Sequence, residues 1–366
     1  MKQKMDSVQA LRALAFFCVF LNHCYVNTNG WAISVFIMLS GFLLVISRFP
    51  KPDDFTPNAV KNVRSAYFKV KSLYPLYILT MLPIIALEIL SIYKGNSASS
   101  YGSLIFEIIL SVLIIQAWFP GHSMALNGVS WYLSAMVFLY FAFPYILKLL
   151  RKYRKMSTAV LVMAGLFVLE FILSSAEPAI YSLTSGFGAD LDSDGFALWF
   201  TFIFPLFRLM DFALGCNLGY IFLRLRDKEH GKAVVWGLDV VIALLFAVTS
   251  VFYKSTGHFL SREEYRHTFL FVPIALAIVY SFALAKGPLA RLLTNKITVF
   301  FGNLSNYTYL IHQDVIRYFM LILTYVGFSL DVFKIAVIPV GLALTVLLAL
   351  GYKKLADSRR KTMHNA

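Results

Sequence analysis

Charge is scarce in this 366-residue chain: 14% of its residues are charged and only 19 are acidic. A soluble domain carries about 25% charged residues. Apolar residues make up 59% of the chain and gather in long runs between short polar loops. This pattern excludes an ordinary soluble fold. It predicts an all-α, polytopic membrane protein in which residues 1–366 form a single integral-membrane domain without a separate soluble domain.

Cysteine is nearly absent as well, and its pattern excludes two further classes. The three cysteines, Cys18, Cys24 and Cys216, all fall inside apolar runs. An odd count without metal-ligand spacing argues against a disulfide framework and against a zinc site. We therefore expect buried thiols and no bound metal.

Long polar stretches are also missing, since the longest covers residues 48–71. The net charge of +14 comes from bases that lie in short loops between the apolar runs. This is the positive-inside pattern of a cell-membrane protein, and it predicts the lipid bilayer rather than a nucleic acid as partner. The loop charges place both termini in the cytoplasm.

Eleven apolar segments can be drawn, at about residues 7–25, 31–47, 72–93, 102–118, 129–147, 158–175, 198–222, 234–253, 268–285, 303–327 and 332–352. Two cytoplasmic termini require an even number of crossings. We therefore predict about ten transmembrane helices plus one irregular or re-entrant segment. Either 72–93, which contains two prolines, or 102–118, which contains Glu107 and Gln116, fails to cross. The sequence leaves both choices open.

The first apolar segment carries two ionisable residues, Arg12 and His23. At about 100° per residue, their spacing of eleven corresponds to three helical turns plus roughly 20°, with an axial separation of roughly 16 Å. They therefore share one face. Arg12 has an ordinary interpretation as a residue that reaches the headgroups, and His23 as a buried imidazole with one partner. The functional interpretation of His23 is a general base, since its ordinary pKa suits proton removal from a hydroxyl.

The residues around this pair resemble the membrane-bound acyltransferase-3 family. Six motifs match in order: Gln9–Ala15 with Asn22 and His23, Val35–Leu43, Leu73–Tyr77, Trp131–Ser134 with Tyr140 and Pro144, Arg208–Phe212 with Gly215, and Gly302 with Ser305, Tyr307, Tyr309 and His312. Each motif alone is weak, but together they cover nearly the whole chain.

The resemblance implies transfer of an acyl group, usually acetyl, from cytoplasmic acyl-CoA to a hydroxyl of an extracytoplasmic surface polysaccharide or its lipid-linked precursor. Arg12 would meet the anionic CoA through paired donors. His23 would act as general base or as acyl carrier. The family's second basic motif is altered here, with Lys69 and Lys71 followed by Ser72. These two lysines and His312 are the further candidates for CoA binding.

Three groups of supporting residues complete the predicted site. Asn22, Trp131 and Tyr132 are candidates for contact with the acceptor sugar. Arg208 and Asp211 are three residues apart on one helix and can form a structural ion pair. Ser40 and Gly41, from the second motif, are predicted to support the site. His312 has an alternative interpretation as a buried hydrogen-bonding residue.

Two other functions remain open from the sequence. Polar residues in helices and a proline-interrupted segment also occur in secondary transporters. A non-catalytic partner in glycan export is the third alternative. The acceptor sugar, the acyl group and the oligomeric state are not specified by the sequence.

Overall fold

The computed structural model describes residues 2–26, 28, 30–51, 59–97, 99–184, 191–226, 231–254, 265, 268–328 and 335–365. Every regular element in these ranges is helical, and they contain no strand. The helices are α1 (Lys2–His23), α2 (Trp31–Arg48), α3 (Ala59–Val70), α4 (Tyr74–Tyr93), α5 (Tyr101–Val112), α6 (Trp131–Arg151), α7 (Met156–Thr184), α8 (Ser193–Leu198), α9 (Pro205–Leu225), α10 (Lys232–Lys254), α11 (Val272–Leu284), α12 (Pro288–Leu293), α13 (Lys296–Val326) and α14 (Leu342–Asn365).

Seven helical stretches in the described ranges are long and apolar enough to cross a membrane. They are Trp31–Arg48, Tyr74–Tyr93, Gly128–Arg151, Met156–Thr184, Ser193–Leu225, Lys232–Phe252 and Val337–Ser358. Helices α1 and α13 have 22 and 31 residues but are more polar, and they carry the residues of the candidate site. The all-helical membrane class is confirmed, and the count of ten spans stays a prediction.

The structure distinguishes the two segments that the sequence left open. Helix α4 continues through Pro83 for 20 residues. Helix α5 has only 12 residues, or about 18 Å, whereas the hydrocarbon core is about 30 Å thick. After Val112 the chain turns at Ile114, whose φ is +57°, and reaches α6 through two 3₁₀ turns, Gln116–Trp118 and Gly128–Ser130. The segment predicted at 102–118 is thus the irregular one.

Residues 113–130, which connect α5 to α6, are held by two buried amide side chains. Gln116 donates to the hydroxyl of Tyr77 at 3.3 Å and to the hydroxyl of Ser130 at 3.1 Å. Asn127 donates to the hydroxyl of Thr80 and to the carbonyl of Leu310, both at 2.8 Å. Non-helical backbone at membrane depth needs such internal partners, because lipid offers none.

Two polar stretches of the sequence contain helix. The stretch 48–71 includes α3, an amphipathic helix. The acidic stretch 176–196 begins in helix, because α7 continues to Thr184. Each of these helices buries a polar side chain, Asn62 in α3 and Glu177 in α7.

Two helix pairs form the centre of the bundle, and glycines allow their close approach. A Cβ added to Gly41 of α2 would lie 2.5 Å from the carbonyl oxygen of Phe212 in α9. Gly215 of α9 lies against the backbone of Met38 in the same way. Gly302 of α13 lies against the backbone of Gln9 in α1. The α1–α13 crossing therefore brings together two parts of the chain almost 300 residues apart.

Candidate active site

Arg12 lies on α1 where that helix crosses α13. Its Nε donates to the hydroxyl of Ser305 at 3.2 Å, and its Nη2 donates to the amide oxygen of Asn306. Both partners are neutral, so they orient the guanidinium without cancelling its charge. Arg12 is thus a fixed cation on the wall of an internal space.

That space, here called the central cavity, has a volume of about 500 Å³ and lies between α1, α2, α3, α6 and α13. Its polar lining includes Arg12, Ser40, Lys69, Tyr132, Tyr140 and Asn306, and none of the described lining residues is acidic. Ser40 donates to the carbonyl of Phe36 at 2.8 Å, and its hydroxyl lies beside the phenols of Tyr132 and Tyr140. The result is a cavity with positive charge and ordered hydroxyls.

Lys69 supplies the second cation of the central cavity. Its Nζ lies 4.6 Å from the ring centroid of Tyr140 and 5.2 Å from that of Phe143. Burial in α3, which is too short to span the membrane, lowers the pKa of Lys69 to about 8, and the charge of Arg48 acts in the same direction. Lys71, the other predicted CoA-binding lysine, does not line this cavity.

His23 lies at the end of α1 beside His312 of α13, with the two ring centroids 5.1 Å apart. His312 is fully buried, and its Nδ1 lies 2.7 Å from the carbonyl oxygen of Tyr309. A carbonyl only accepts hydrogen bonds, so Nδ1 carries the hydrogen and Nε2 is the acceptor. Nε2 has no hydrogen-bond partner among the described residues. The structure thus pairs His312 with His23 rather than with Arg12.

An aromatic wall separates the central cavity from the two histidines. Tyr309 lines the cavity, and its ring centroid lies 5.8 Å from that of His312. Tyr132 and Phe36 pack against Tyr309 at 5.3 Å and 6.1 Å. Three groups therefore follow one another along the α1–α13 crossing: the two cations, the aromatic wall, and the pair of imidazoles.

The remaining predicted residues lie around this line. Asn22 is exposed beside His23. Trp131 is only 4% exposed and packs against Phe202 at 5.1 Å, so its indole does not line the central cavity. Its neighbour Tyr132 does line it.

Arg208 and Asp211 form a buried ion pair, with Nη1 2.8 Å from Oδ2. Ser34 of α2 donates to the same carboxylate oxygen at 3.2 Å, and Arg208 donates to the hydroxyl of Thr268 at 2.9 Å. The pair thus joins α9, α2 and the turn before α11. Together with Gly41 at the α2–α9 crossing, it holds the wall of the cavity in place.

Sequence reasoning did not single out Asn306, the place of Tyr309 in the wall, or the pairing of His312 with His23. Tyr309 belongs to the family motifs, which was a usable signal. The sequence held no signal for Asn306 or for the histidine pairing, because both depend on how α13 crosses α1. Among the described residues, no group of three His, Cys, Asp or Glu side chains is close enough to hold a metal ion.

A family model described as an acyltransferase domain matches residues 5–353, which is nearly the whole chain and includes every residue of the candidate site. The chain belongs to the acyltransferase-3 family. Comparison with curated proteins and with solved structures gave no match. The polar line from Arg12 to His23 is therefore the candidate active site of a membrane acyltransferase.

Proposed function

We propose that this acyltransferase moves an acyl group, with acetyl as the first candidate, from cytoplasmic acyl-CoA to a hydroxyl of an extracytoplasmic surface polysaccharide or its lipid-linked precursor. The observation that supports this most is the order of the site. Two cations face a cavity at one end, and a pair of imidazoles lies beyond its aromatic wall at the other.

The cavity end suits an anionic donor. Arg12 and Lys69 supply positive charge, and no described lining residue offsets it. A volume of about 500 Å³ is within the usual range of small-molecule pockets. A guanidinium oriented by Ser305 and Asn306 is suited to phosphate oxygens, whereas Lys69 contributes a point charge.

The histidine end suits removal of a proton from an alcohol. His23 takes the hydroxyl proton as the oxygen attacks the thioester carbonyl carbon, the C–S bond breaks, and the CoA sulfur leaves with that proton. Alternatively, a His23 nitrogen attacks the thioester carbonyl carbon first, the C–S bond breaks, and the CoA sulfur leaves with the proton that the imidazole releases. The acceptor hydroxyl then displaces the acyl group from His23 and returns its proton to the ring. Both routes need a neutral imidazole with a free nitrogen.

His312 is assigned a positioning role in this proposal. Its hydrogen bond to Tyr309 fixes the ring against Phe16, Phe20 and His23, and its Nε2 has no hydrogen-bond partner among the described residues. Such an acceptor can orient an N–H of His23 and thereby select the tautomer that acts as base. Because Tyr309 lies between the cavity and the histidines, transfer also requires its ring to move.

The test compares His23→Ala with His122→Ala, a matched control in which the histidine lies away from the site and pairs with Glu107. Cells that lack the protein are complemented with each variant, and their surface glycan is analysed by mass spectrometry. We expect acylation with His122→Ala and none with His23→Ala. Normal acylation with His23→Ala would exclude the catalytic assignment.

The same membranes distinguish the two alternatives. Consumption of acetyl-CoA that depends on the acceptor glycan supports the enzyme. Solute flux without such consumption would favour a transporter. If His23→Ala changed neither measurement, the protein would be a non-catalytic partner.

A further inference from the structure

Helix α3 presents two different faces at its last turn. Lys69 faces the central cavity, while Phe68 and Lys71 line a second space on the other side of the helix. Val70, which is buried, contributes to both walls. The two lysines that the sequence placed together thus belong to separate sites.

The second space, here called the lateral groove, has a volume of about 470 Å³ and lies between α3, the start of α4 and the end of α5. It is lined by Arg64, Tyr67, Phe68, Val70, Lys71, Tyr74 and residues 112–114. Like the central cavity, it contains no acidic side chain among its described lining residues.

Two cations share one aromatic ring in this groove. The guanidinium carbon of Arg64 lies 5.5 Å from the ring centroid of Phe68, and the ammonium of Lys71 lies 5.3 Å from it. Contact with the ring stabilises each cation. It does not remove their mutual repulsion, which an anion bound between them would relieve.

The uncharged polar groups of the lateral groove are already paired. Tyr67 donates to the carbonyl of Leu113 at 2.9 Å, and Tyr74 donates to the carbonyl of Val112 at 3.0 Å. These carbonyls lie at the end of α5, where no further helical turn supplies an N–H to them. A ligand in the lateral groove would therefore interact with the charges of Arg64 and Lys71, since the two tyrosine hydroxyls already have partners.

The rim of the groove is apolar and exposed. Phe68 is 54% exposed and Leu113 is 50% exposed. Exposed apolar side chains beside two cations fit an amphiphile with an anionic head and hydrocarbon tails. The sequence 59–71 contains four basic residues and no acidic one, which favours the cytoplasmic leaflet.

We propose that the lateral groove binds the phosphate headgroup of an anionic phospholipid between Arg64 and Lys71, with its acyl chains against Phe68 and Leu113. The bound lipid lies on the other side of the last turn of α3 from Lys69 and the central cavity. This proposal does not depend on the proposed reaction.

The experiment uses native mass spectrometry of the full-length protein with added phosphatidylglycerol or phosphatidylcholine. The test variant is Arg64→Gln/Lys71→Gln, and the matched control is Lys152→Gln/Arg154→Gln, which removes two exposed charges from the loop after α6. We expect the wild type and control to retain phosphatidylglycerol in preference to phosphatidylcholine. The test variant should lose roughly thirtyfold in affinity, since each basic residue contributes about a fivefold factor.

A second measurement separates this site from the proposed donor site. Coenzyme A binding should be unchanged in Arg64→Gln/Lys71→Gln and weakened in Lys69→Gln, whereas phosphatidylglycerol retention should show the opposite pattern. The proposal is overturned if both lipids bind equally, if the control loses as much affinity, or if Arg64→Gln/Lys71→Gln loses coenzyme A but keeps the lipid. Failure of the wild type to bind coenzyme A would count against the proposed function alone.

Discussion

At the scale of single residues, the charge of Lys69 gives the proposed donor site a measurable pH dependence. With a pKa of about 8, Lys69 is protonated at pH 7 and becomes neutral as the pH rises through 8. An anionic donor binds the protonated form better, so binding weakens with rising pH. We expect the Kd for coenzyme A to increase roughly tenfold between pH 7 and pH 9, as one lost proton predicts.

The matched variant for that titration is Lys69→Arg, which stays protonated over this range. Its Kd for coenzyme A, measured by calorimetry, should change little between pH 7 and pH 9. Parallel profiles for wild type and Lys69→Arg would show that the charge of Lys69 does not control donor binding.

His312 allows a second residue-scale prediction that separates its two interpretations. Replacing it by Phe keeps a ring beside His23 but removes the hydrogen bond to Tyr309 and the free Nε2. If His312 positions His23, kcat should fall by roughly a hundredfold, the lower end of what a general base supplies, with KM for acyl-CoA nearly unchanged. His312→Gln, which keeps a donor and an acceptor, should recover part of the rate.

A rise in KM for acyl-CoA at constant kcat would favour the CoA-binding role that the sequence suggested for His312.

The helical spacing of Arg12 and His23 could be predicted because both lie on α1. The partner of His23 could not, because it comes from a helix almost 300 residues later.

At the scale of helices, the α1–α13 crossing depends on Gly302. A Cβ there would overlap the backbone of Gln9, so Gly302→Ala must push α1 away from α13. This separates Arg12 from Ser305 and Asn306. We expect a loss of about 1–3 kcal/mol in stability, typical of overpacking, together with weaker coenzyme A binding.

Gly165→Ala in α7 is the control, since a Cβ there meets no atom within 4 Å. Alanine favours helix over glycine by about 1 kcal/mol, so this variant should melt at the same temperature or higher. Thermal unfolding of both variants in detergent measures the difference. Equal melting temperatures would show that the crossing tolerates a methyl group.

Helices also mark where the sequence was insufficient. The hydrophobic runs located α2, α4 and α10 to within a few residues, because each is apolar along most of its length. They did not locate α3, whose face towards the bundle is short and whose other face is basic. Nor did the hydrophobic runs identify which of the two segments is irregular. Pro83 is tolerated within α4. The chain after α5 is held by buried hydrogen bonds, such as that from Gln116 to Ser130, which depend on the fold.

At the scale of the whole molecule, the proposed reaction has a direction. Arg151 at the end of α6 donates to the carbonyl of Lys51 at 3.0 Å, which joins two of the basic loops at one end of the bundle. We propose that this end faces the cytoplasm, because basic loops are typical of that side. Inside-out vesicles should therefore release CoA thiol from external acetyl-CoA when acceptor glycan is present.

Intact right-side-out vesicles should release little thiol under the same conditions, because coenzyme A does not cross a bilayer. Permeabilising the right-side-out vesicles should restore the rate of thiol release. This measurement also controls for the amount of enzyme in the two preparations. Equal rates from both intact preparations would contradict the assigned orientation. The count of ten spans stays a prediction, and seven helical stretches of the described residues meet the length and hydropathy requirements.

The bond from Arg12 to Asn306 has a consequence for how the protein is made. The two residues are 294 positions apart, so Arg12 is synthesised long before its partners exist. At about 5–20 residues per second, the ribosome needs roughly 15–60 s to reach them. During that interval α1 carries a charge without its final hydrogen bonds. Arrival of α13 completes the site late in synthesis, so truncated chains that stop before α13 should be recognised by membrane quality control as unassembled.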